Sequence, residues 1–225
     1  MLIFERPGPI NTSSIIDAVE RISNTCEYIV VASITGDSAI KIARRVRNKI
    51  ICVTCPQGMN WEVDGMNSGP FTDIPELKEI RDQWIDQGLR KIPMNVTEEN
   101  KAELDRLNVK IVRGTIPFFG PSFSMRLHLK KITSLDVVAK TLELFSTGTL
   151  VCMECVLMAT DSGVIPEGET VIALAGTERG LDTAWKIRSS ASANLFHPTK
   201  GLRFTESLAK PEISLLPDIN IEYLR

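Results

Sequence analysis

Three short apolar segments constrain the fold of this chain more than any other feature of its sequence. They lie at residues 28–32, 50–54 and 171–175, and the first and last are apolar without interruption. Strands of this kind are typical of a parallel sheet covered by helices on both faces. Between the first two segments, apolar residues keep helical spacing over 39–46. The pattern therefore predicts a strand, a loop, a helix and a parallel strand, joined by a right-handed crossover.

Similar patterns continue along most of the chain and predict a single α/β domain over residues 1–225. The first of the other helices is expected to begin after Ser14 as its N-cap. Further helices are expected around 77–84, at about 97–107, at 134–145 and at about 148–162, with another strand at 109–113. Loops are expected at 55–74 and from 114 to about 125, and an edge strand or exposed loop at 126–131. We therefore expect a three-layer α/β/α fold with a mostly parallel sheet.

Charge and composition exclude several classes of protein. The 225 residues include 26 Lys and Arg against 28 Asp and Glu, a net charge of −2, so nucleic acid is not an expected partner. No apolar run reaches the roughly 18–20 residues of a membrane span, and the N-terminal residues do not have the pattern of a signal peptide. Five cysteines are an odd number at low density, which favours a reducing, cytoplasmic location without disulfides.

The segment 33–38 (SITGDS) follows the first predicted strand and opens the first βαβ helix. A helix N-terminus presents unpaired N–H groups, Gly36 permits close backbone approach, and the hydroxyls of Ser33, Thr35 and Ser38 are donors. These features suit a phosphate monoester. They equally suit a simple turn and helix cap. The segment is neither a Walker loop nor a dinucleotide-binding glycine motif.

Beyond this loop, the order of several motifs resembles the C-terminal, effector-binding domain of pyruvate kinase. The resemblance covers the strand, glycine turn, helix and strand at 29–54, the strand end at 112–117 (VRGTIP), and the strand and glycine loop at 167–176. It is closer to a free-standing family of proteins similar to that domain, through residues 4–12, 151–166 and 176–184. The whole resemblance spans about 4–210.

The resemblance implies a binding function without pyruvate kinase activity, because the catalytic barrel is absent. The free-standing family is associated with flavin mononucleotide (FMN), so the favoured function is a binding protein for a small phosphorylated ligand, with FMN as tentative cofactor. The implied cofactor-binding residues are Ser33, Thr35, Gly36, Asp37, Ser38, Gly114, Thr115, Gly176, Thr177, Arg179, Gly180 and Asp182. Asp37 departs from the kinase domain, which often has a basic residue there. A carboxylate repels phosphate, so Asp37 is expected to point away or to bind a ribityl hydroxyl.

Two other functions stay open. In a flavin-dependent oxidoreductase the cofactor would supply the chemistry, and no residue set in the chain is compelling for catalysis. In a metal or redox protein, the pairs Cys52/Cys55 and Cys152/Cys155 would supply the ligands or thiols, although buried cysteines are also common structural residues. Whether the chain is an enzyme is left undecided, and no residue is assigned as catalytic or as a metal ligand.

A few single residues also have open interpretations. Glu154 and Asp161 share one face of the apolar helix, where acids need partners or take a raised pKa. His128 and His197 are expected at the surface. Trp61 is expected either to stack on a flat ring, to anchor its loop, or to contact another subunit, and the last option makes a homo-oligomer plausible.

Overall fold

The structure of the protein is a computed structural model that describes residues 1–212. The predicted domain extends to residue 225, so its last thirteen residues, 213–225, lie outside the described part. The strands in chain order are β1 (Leu2–Phe4), β2 (Tyr28–Ala32), β3 (Lys49–Thr54), β4 (Asn60–Glu62), β5 (Lys91–Pro93), β6 (Lys110–Arg113), β7 (Thr170–Ala175), β8 (Thr183–Arg188) and β9 (Arg203–Pro211). The α-helices are α1 (Thr12–Ile22), α2 (Asp37–Ala43), α3 (Pro70–Asp73), α4 (Pro75–Asp86), α5 (Glu98–Arg106), α6 (Gly120–Leu129), α7 (Ser134–Glu143) and α8 (Thr147–Asp161).

A seven-stranded sheet forms the centre of the fold, in the order β1-β9-β8-β7-β2-β3-β6. Strands β7, β2, β3 and β6 are parallel, and β8 runs antiparallel between β7 and β9. In the register, Val30 of β2 lies between Ile51 of β3 and Ala173 of β7. The mostly parallel sheet predicted from the apolar segments is therefore confirmed.

Helices cover both faces of this sheet because the side chains of each central strand alternate between two cores. Val30 packs into a core with α8, whereas its neighbours Ile29 and Val31 pack into a second core with α1, α2 and α5. Twelve of the fifteen residues of α8 are buried, which agrees with its nearly uniform apolar sequence. The three-layer α/β/α fold is confirmed.

Several predicted boundaries were wrong. The segment 55–74 is not one long loop, since it contains β4 and α3 and contributes to a small third core with Trp61, Phe71 and Leu77. Helix α1 begins two residues before Ser14, with Asn11 at its N-cap position. The capping box that does form lies at Thr133 and Asp136, before α7.

The largest error concerns residues 120–131, which were predicted as a loop followed by an edge strand or exposed loop. Residues Gly120–Leu129 of this segment form α6, and His128 lies in its last turn. Only Ser122 of this helix is buried, so α6 has no apolar stripe that the sequence could reveal. No helix among the described residues is both long enough and apolar enough to cross a membrane.

Candidate functional site

A cavity of about 570 Å³ lies at the carboxyl ends of β2, β3 and β7. This volume is within the usual range of small-molecule sites. At its carboxyl end β2 continues into α2, whereas β7 turns back into its antiparallel neighbour β8. The chain therefore leaves these two adjacent strands in different directions at the edge where the cavity lies. Ligands of α/β proteins bind outside the carboxyl ends of the strands.

The loop after β2 forms one wall of the cavity. The hydroxyl of Ser33 accepts hydrogen bonds from the amides of Ser38 at 3.1 Å and Ala39 at 3.4 Å. This side chain therefore caps the first turn of α2 from inside the loop. Because α2 has only seven residues, its dipole adds little to anion binding.

Gly36 has a role in this loop that differs from the one its sequence suggested. Its φ of +90° is the left-handed conformation that glycine adopts without strain. A Cβ at this position would lie 3.0 Å from Leu104 Cδ1 and 3.2 Å from Asn100 Cβ, which belong to α5. The open side of Gly36 thus faces α5, so the residue serves the turn and the helix packing.

The loop after β7 forms the opposite wall. The guanidinium carbon of Arg179 lies 5.8 Å from the ring centre of Trp61. The Trp61 indole nitrogen in turn donates a 3.1 Å hydrogen bond to Oε2 of Glu178. Arg179 is half-buried and forms no ion pair with any residue in 1–212. Burial lowers the pKa of Arg179, and the nearby charge of Asp37 opposes this shift.

Glu178 has a backbone conformation that is uncommon outside glycine, with a φ of +61°. Its side chain lines the cavity. Loss of hydration there raises the pKa of its carboxyl, while the hydrogen bond from Trp61 works in the other direction. Glu178 was missed by the sequence analysis, although it stands between two of the predicted site residues.

Asp182 organises the β7 loop from within the protein. It is fully buried, and its Oδ2 accepts hydrogen bonds from the amide of Gly8 at 3.0 Å and from the amide and hydroxyl of Thr177 at 3.1 and 2.8 Å. Its Oδ1 accepts from the hydroxyl of Thr183 at 2.7 Å. Burial raises the pKa of Asp182, and these hydrogen bonds oppose the rise. Asp182 therefore ties the loop to the N-terminal segment and does not line the cavity.

The structure brings the two predicted ligand loops together at one cavity, but not every residue in them faces it. The predicted residues that line the cavity are Ser33, Thr35, Asp37, Ser38, Gly176, Arg179 and Gly180. Those that do not line it are Gly36, Gly114, Thr115, Thr177 and Asp182. In the loop after β6, Gly114 and Thr115 were the predicted site residues, but Ile116 and Phe118 line the cavity.

A carboxyl group on α8 lines the cavity. Glu154 is 6% exposed, and its Oε1 accepts a 3.1 Å hydrogen bond from the amide of Phe118. Burial raises the pKa of Glu154 to about 8, and the negative charge of Glu143 adds to the rise. Lys140, which also lines the cavity, pairs with Glu143 at 2.5 Å. Glu154 was recognisable in the sequence as an acid on an apolar helix, but it was not among the predicted site residues.

All five cysteines are free thiols. Cys55 and Cys155 line the cavity, and burial raises the pKa of Cys52 to about 12 and that of Cys55 to about 11. These thiols therefore stay protonated near neutral pH, which does not favour thiolate chemistry. Between residues 1 and 212, no three His, Cys, Asp or Glu side chains are grouped as metal ligands.

A scan against protein-family models found no match for this chain.

Proposed function

We propose that this chain is a binding protein for a small phosphorylated ligand, with FMN as the favoured ligand. The proposal rests on the sequence resemblance to the free-standing pyruvate kinase C-terminal-domain-like family and on the chemistry of the cavity. The observation that carries it is Arg179, a half-buried guanidinium at the cavity wall that has no carboxylate within ion-pair distance in the described chain.

A half-buried arginine without a carboxylate partner is suited to bind an anion in the cavity. Its planar fork of N–H donors matches phosphate oxygens, and a partly desolvated cation is stabilised by an anionic ligand. Thr35 and Ser38 line the same cavity and bring hydroxyl donors from the loop after β2. The proposed phosphate position is between the two loops, with Arg179 as its main partner.

Asp37 does not prevent this placement. Its Oδ2 pairs with Lys41 Nζ at 2.7 Å, one helical turn further along α2. The pair offsets the negative charge that would otherwise repel a phosphate. Asp37 also lines the cavity, so its second oxygen is available to a ligand hydroxyl, as a ribityl chain would provide.

The rest of the cavity suits a flat, largely apolar group. Phe118, Phe119 and Leu150 lie along it. Trp61 contributes less than its sequence context suggested, because its ring is 5% exposed and packs against Phe71 and Trp84. Of its three interpretations, the anchoring of its own segment is the one that its packing supports. Volume, apolar walls and an arginine at one end thus fit FMN.

A comparison of FMN with riboflavin tests the proposal, since riboflavin lacks the phosphate. Freshly purified protein is first checked for flavin absorbance and native mass, and affinities are then measured by flavin fluorescence. Wild type should bind FMN at least about tenfold more tightly than riboflavin, and Arg179→Met should remove the preference. Arg106→Met, which removes an exposed arginine of α5 paired with Glu103, is the matched control. Equal affinities in the wild type, or no binding, would refute the proposal.

The second candidate function is a flavin-dependent oxidoreductase, and reduction assays distinguish it from a binding protein. Glu154, a buried carboxyl that lines the cavity, favours this second candidate because raised carboxyl pKa values are frequent in active sites. FMN would supply the redox chemistry there. Stopped-flow reduction by a nicotinamide donor would support an enzyme, and its absence with common donors would support a carrier.

A further inference from the structure

Glu154 of α8 lines the cavity and is buried. A buried carboxylate is normally stabilised by a cation. In the part of the chain that the structure describes, no ion pair includes Glu154. Among residues 1–212, three cations line the same cavity: Lys140 pairs with Glu143, Arg126 pairs with Asp136, and Arg179 forms no ion pair with Glu154.

The carboxyl of Glu154 also has unused hydrogen-bonding capacity. The amide of Phe118 donates to Oε1, and no other hydrogen bond involves this carboxyl among residues 1–212. As a neutral acid, the group carries an O–H donor beside an acceptor oxygen. No protein atom within residues 1–212 accepts this proton, and Glu154 lines the cavity, so a ligand in the cavity can accept it.

We propose that Glu154 recognises a neutral edge of the ligand in which an N–H stands beside a carbonyl, as in a cyclic amide or imide. A carboxylic acid matches such an edge with two parallel hydrogen bonds, one in each direction. This assignment rests on the proposed function and extends it, since it selects among phosphorylated ligands those whose ring carries an amide or imide. The ring edge would then bind at Glu154 and the phosphate at Arg179, which line the same cavity.

The neutral state of Glu154 follows from its surroundings. Its raised pKa, about 8, is due first to burial and then to Glu143 on α7. Two thiols also act with it electrostatically, Cys55 at the end of β3 and Cys155 on α8. The pKa values of both thiols are raised by burial, so they stay uncharged when Glu154 ionises.

An N-methylated ligand tests the proposal directly. FMN methylated at the ring imide nitrogen keeps the phosphate and the ring but loses the N–H donor. Wild type should bind it about tenfold or more weakly than FMN, because one of the two parallel hydrogen bonds is lost and a methyl group takes the place of the N–H against the carboxyl. Glu154→Leu should weaken FMN binding by a similar factor and should show little further loss with the methylated analogue.

Glu154→Gln separates recognition from packing. Glutamine retains one donor and one acceptor and does not ionise, so its affinity for FMN at pH 7 should be close to that of wild type. From pH 7 to 9, affinity should fall in wild type and stay level in Glu154→Gln. Glu143→Gln removes a carboxylate that raises the pKa of Glu154, so in this variant the fall in affinity should persist and should begin at a lower pH.

The outcomes distinguish this inference from the proposed function. If wild type binds no FMN, the proposed function and the inference both fail. If wild type binds FMN with a preference over riboflavin, but binds the methylated analogue equally well and is unaffected by Glu154→Leu, the inference alone is refuted. Circular dichroism melts of each variant confirm that the compared proteins are folded.

Discussion

The Trp61 indole nitrogen donates a 3.1 Å hydrogen bond to Glu178, which lies 117 residues further along the chain. Trp61 belongs to the small third core formed by the segment between β3 and α5, and Glu178 belongs to the loop after β7. The hydrogen bond therefore joins the segment between β3 and α5 to the loop after β7, which lines the cavity. Arg179, stacked on the same indole ring, strengthens the junction.

The contribution of the Trp61–Glu178 hydrogen bond to stability can be measured with the Trp61→Phe variant. The change removes the indole donor and part of the ring, and it leaves the Glu178 carboxyl without its hydrogen bond. Trp84→Phe is a matched control in the same aromatic cluster, since the Trp84 indole makes no hydrogen bond within residues 1–212. In urea denaturation, Trp61→Phe should lose about 1 kcal/mol more stability than Trp84→Phe. Equal losses would show that the hydrogen bond does not contribute.

A second prediction concerns the cap inside the phosphate loop. Ser33 is buried and its hydroxyl accepts from two amides of α2, so Ser33→Ala should cost about 1–2 kcal/mol of stability. Ser14, which the sequence suggested as a cap, is exposed inside α1 and caps nothing. Ser14→Ala should therefore be neutral or slightly stabilising, because alanine has the higher helix propensity. A larger loss from Ser14→Ala in thermal or urea unfolding would contradict this assignment.

The central fold was predictable from sequence because its signals are local. The segments at 28–32 and 171–175 are buried on both faces of the sheet, and their uninterrupted apolar composition predicts this burial. The positions of the loops after β2 and β7 were predictable for a related reason, since each follows such a strand. Their meeting at one cavity depends on β7 pairing with β2, a long-range contact that no local pattern specifies.

The parts that sequence analysis missed lack local signals. Helix α6 buries only Ser122, and the residues 126–131 alternate as a strand would. Asp182 looked like a ligand residue because it follows a glycine loop, yet its hydrogen bond to Gly8 spans 174 residues. Glu154 was visible as an acid in an apolar helix, but its place at the cavity depends on how Phe118 packs against α8.

Two glycines provide a third prediction, and one of them was a predicted site residue. A Cβ at Gly148 in α8 would lie 2.4 Å from Oγ1 and 2.5 Å from Cβ of Thr183, so helix and strand are in close contact there. The ~1 kcal/mol that alanine gains over glycine in a helix is smaller than the expected cost of forcing these elements apart, about 1–3 kcal/mol. Gly148→Ala should therefore reduce stability.

Gly114→Ala is the comparison for that variant. Nothing lies within 4 Å of a Cβ at Gly114, and this glycine does not line the cavity. The substitution should leave both stability and FMN affinity within experimental error of the wild type. A specific loss of FMN binding in Gly114→Ala would restore this residue to the ligand site.

The last prediction concerns the pH dependence of stability that Glu154 creates. The folded protein raises the pKa of this carboxyl from 4.5 to about 8, chiefly through burial. Below pH 4.5 the group is protonated in both the folded and the unfolded chain, so its contribution to stability is fully present. As pH rises above 4.5, the unfolded chain loses the proton first, and the stabilising contribution decreases steadily. The decrease stops near pH 8, where the folded state also ionises.

Glu154→Gln removes this titration, so the comparison with wild type isolates it from Glu178 and Asp182, whose pKa values are also raised. Between pH 5 and 8, the free energy of unfolding of Glu154→Gln should improve relative to wild type by up to about 1.4 kcal/mol per pH unit. Above pH 8 the difference should level off. Urea denaturation at pH 5, 6, 7, 8 and 9 measures both curves, and parallel curves over this range would show that Glu154 ionises in the folded protein much as it does in water.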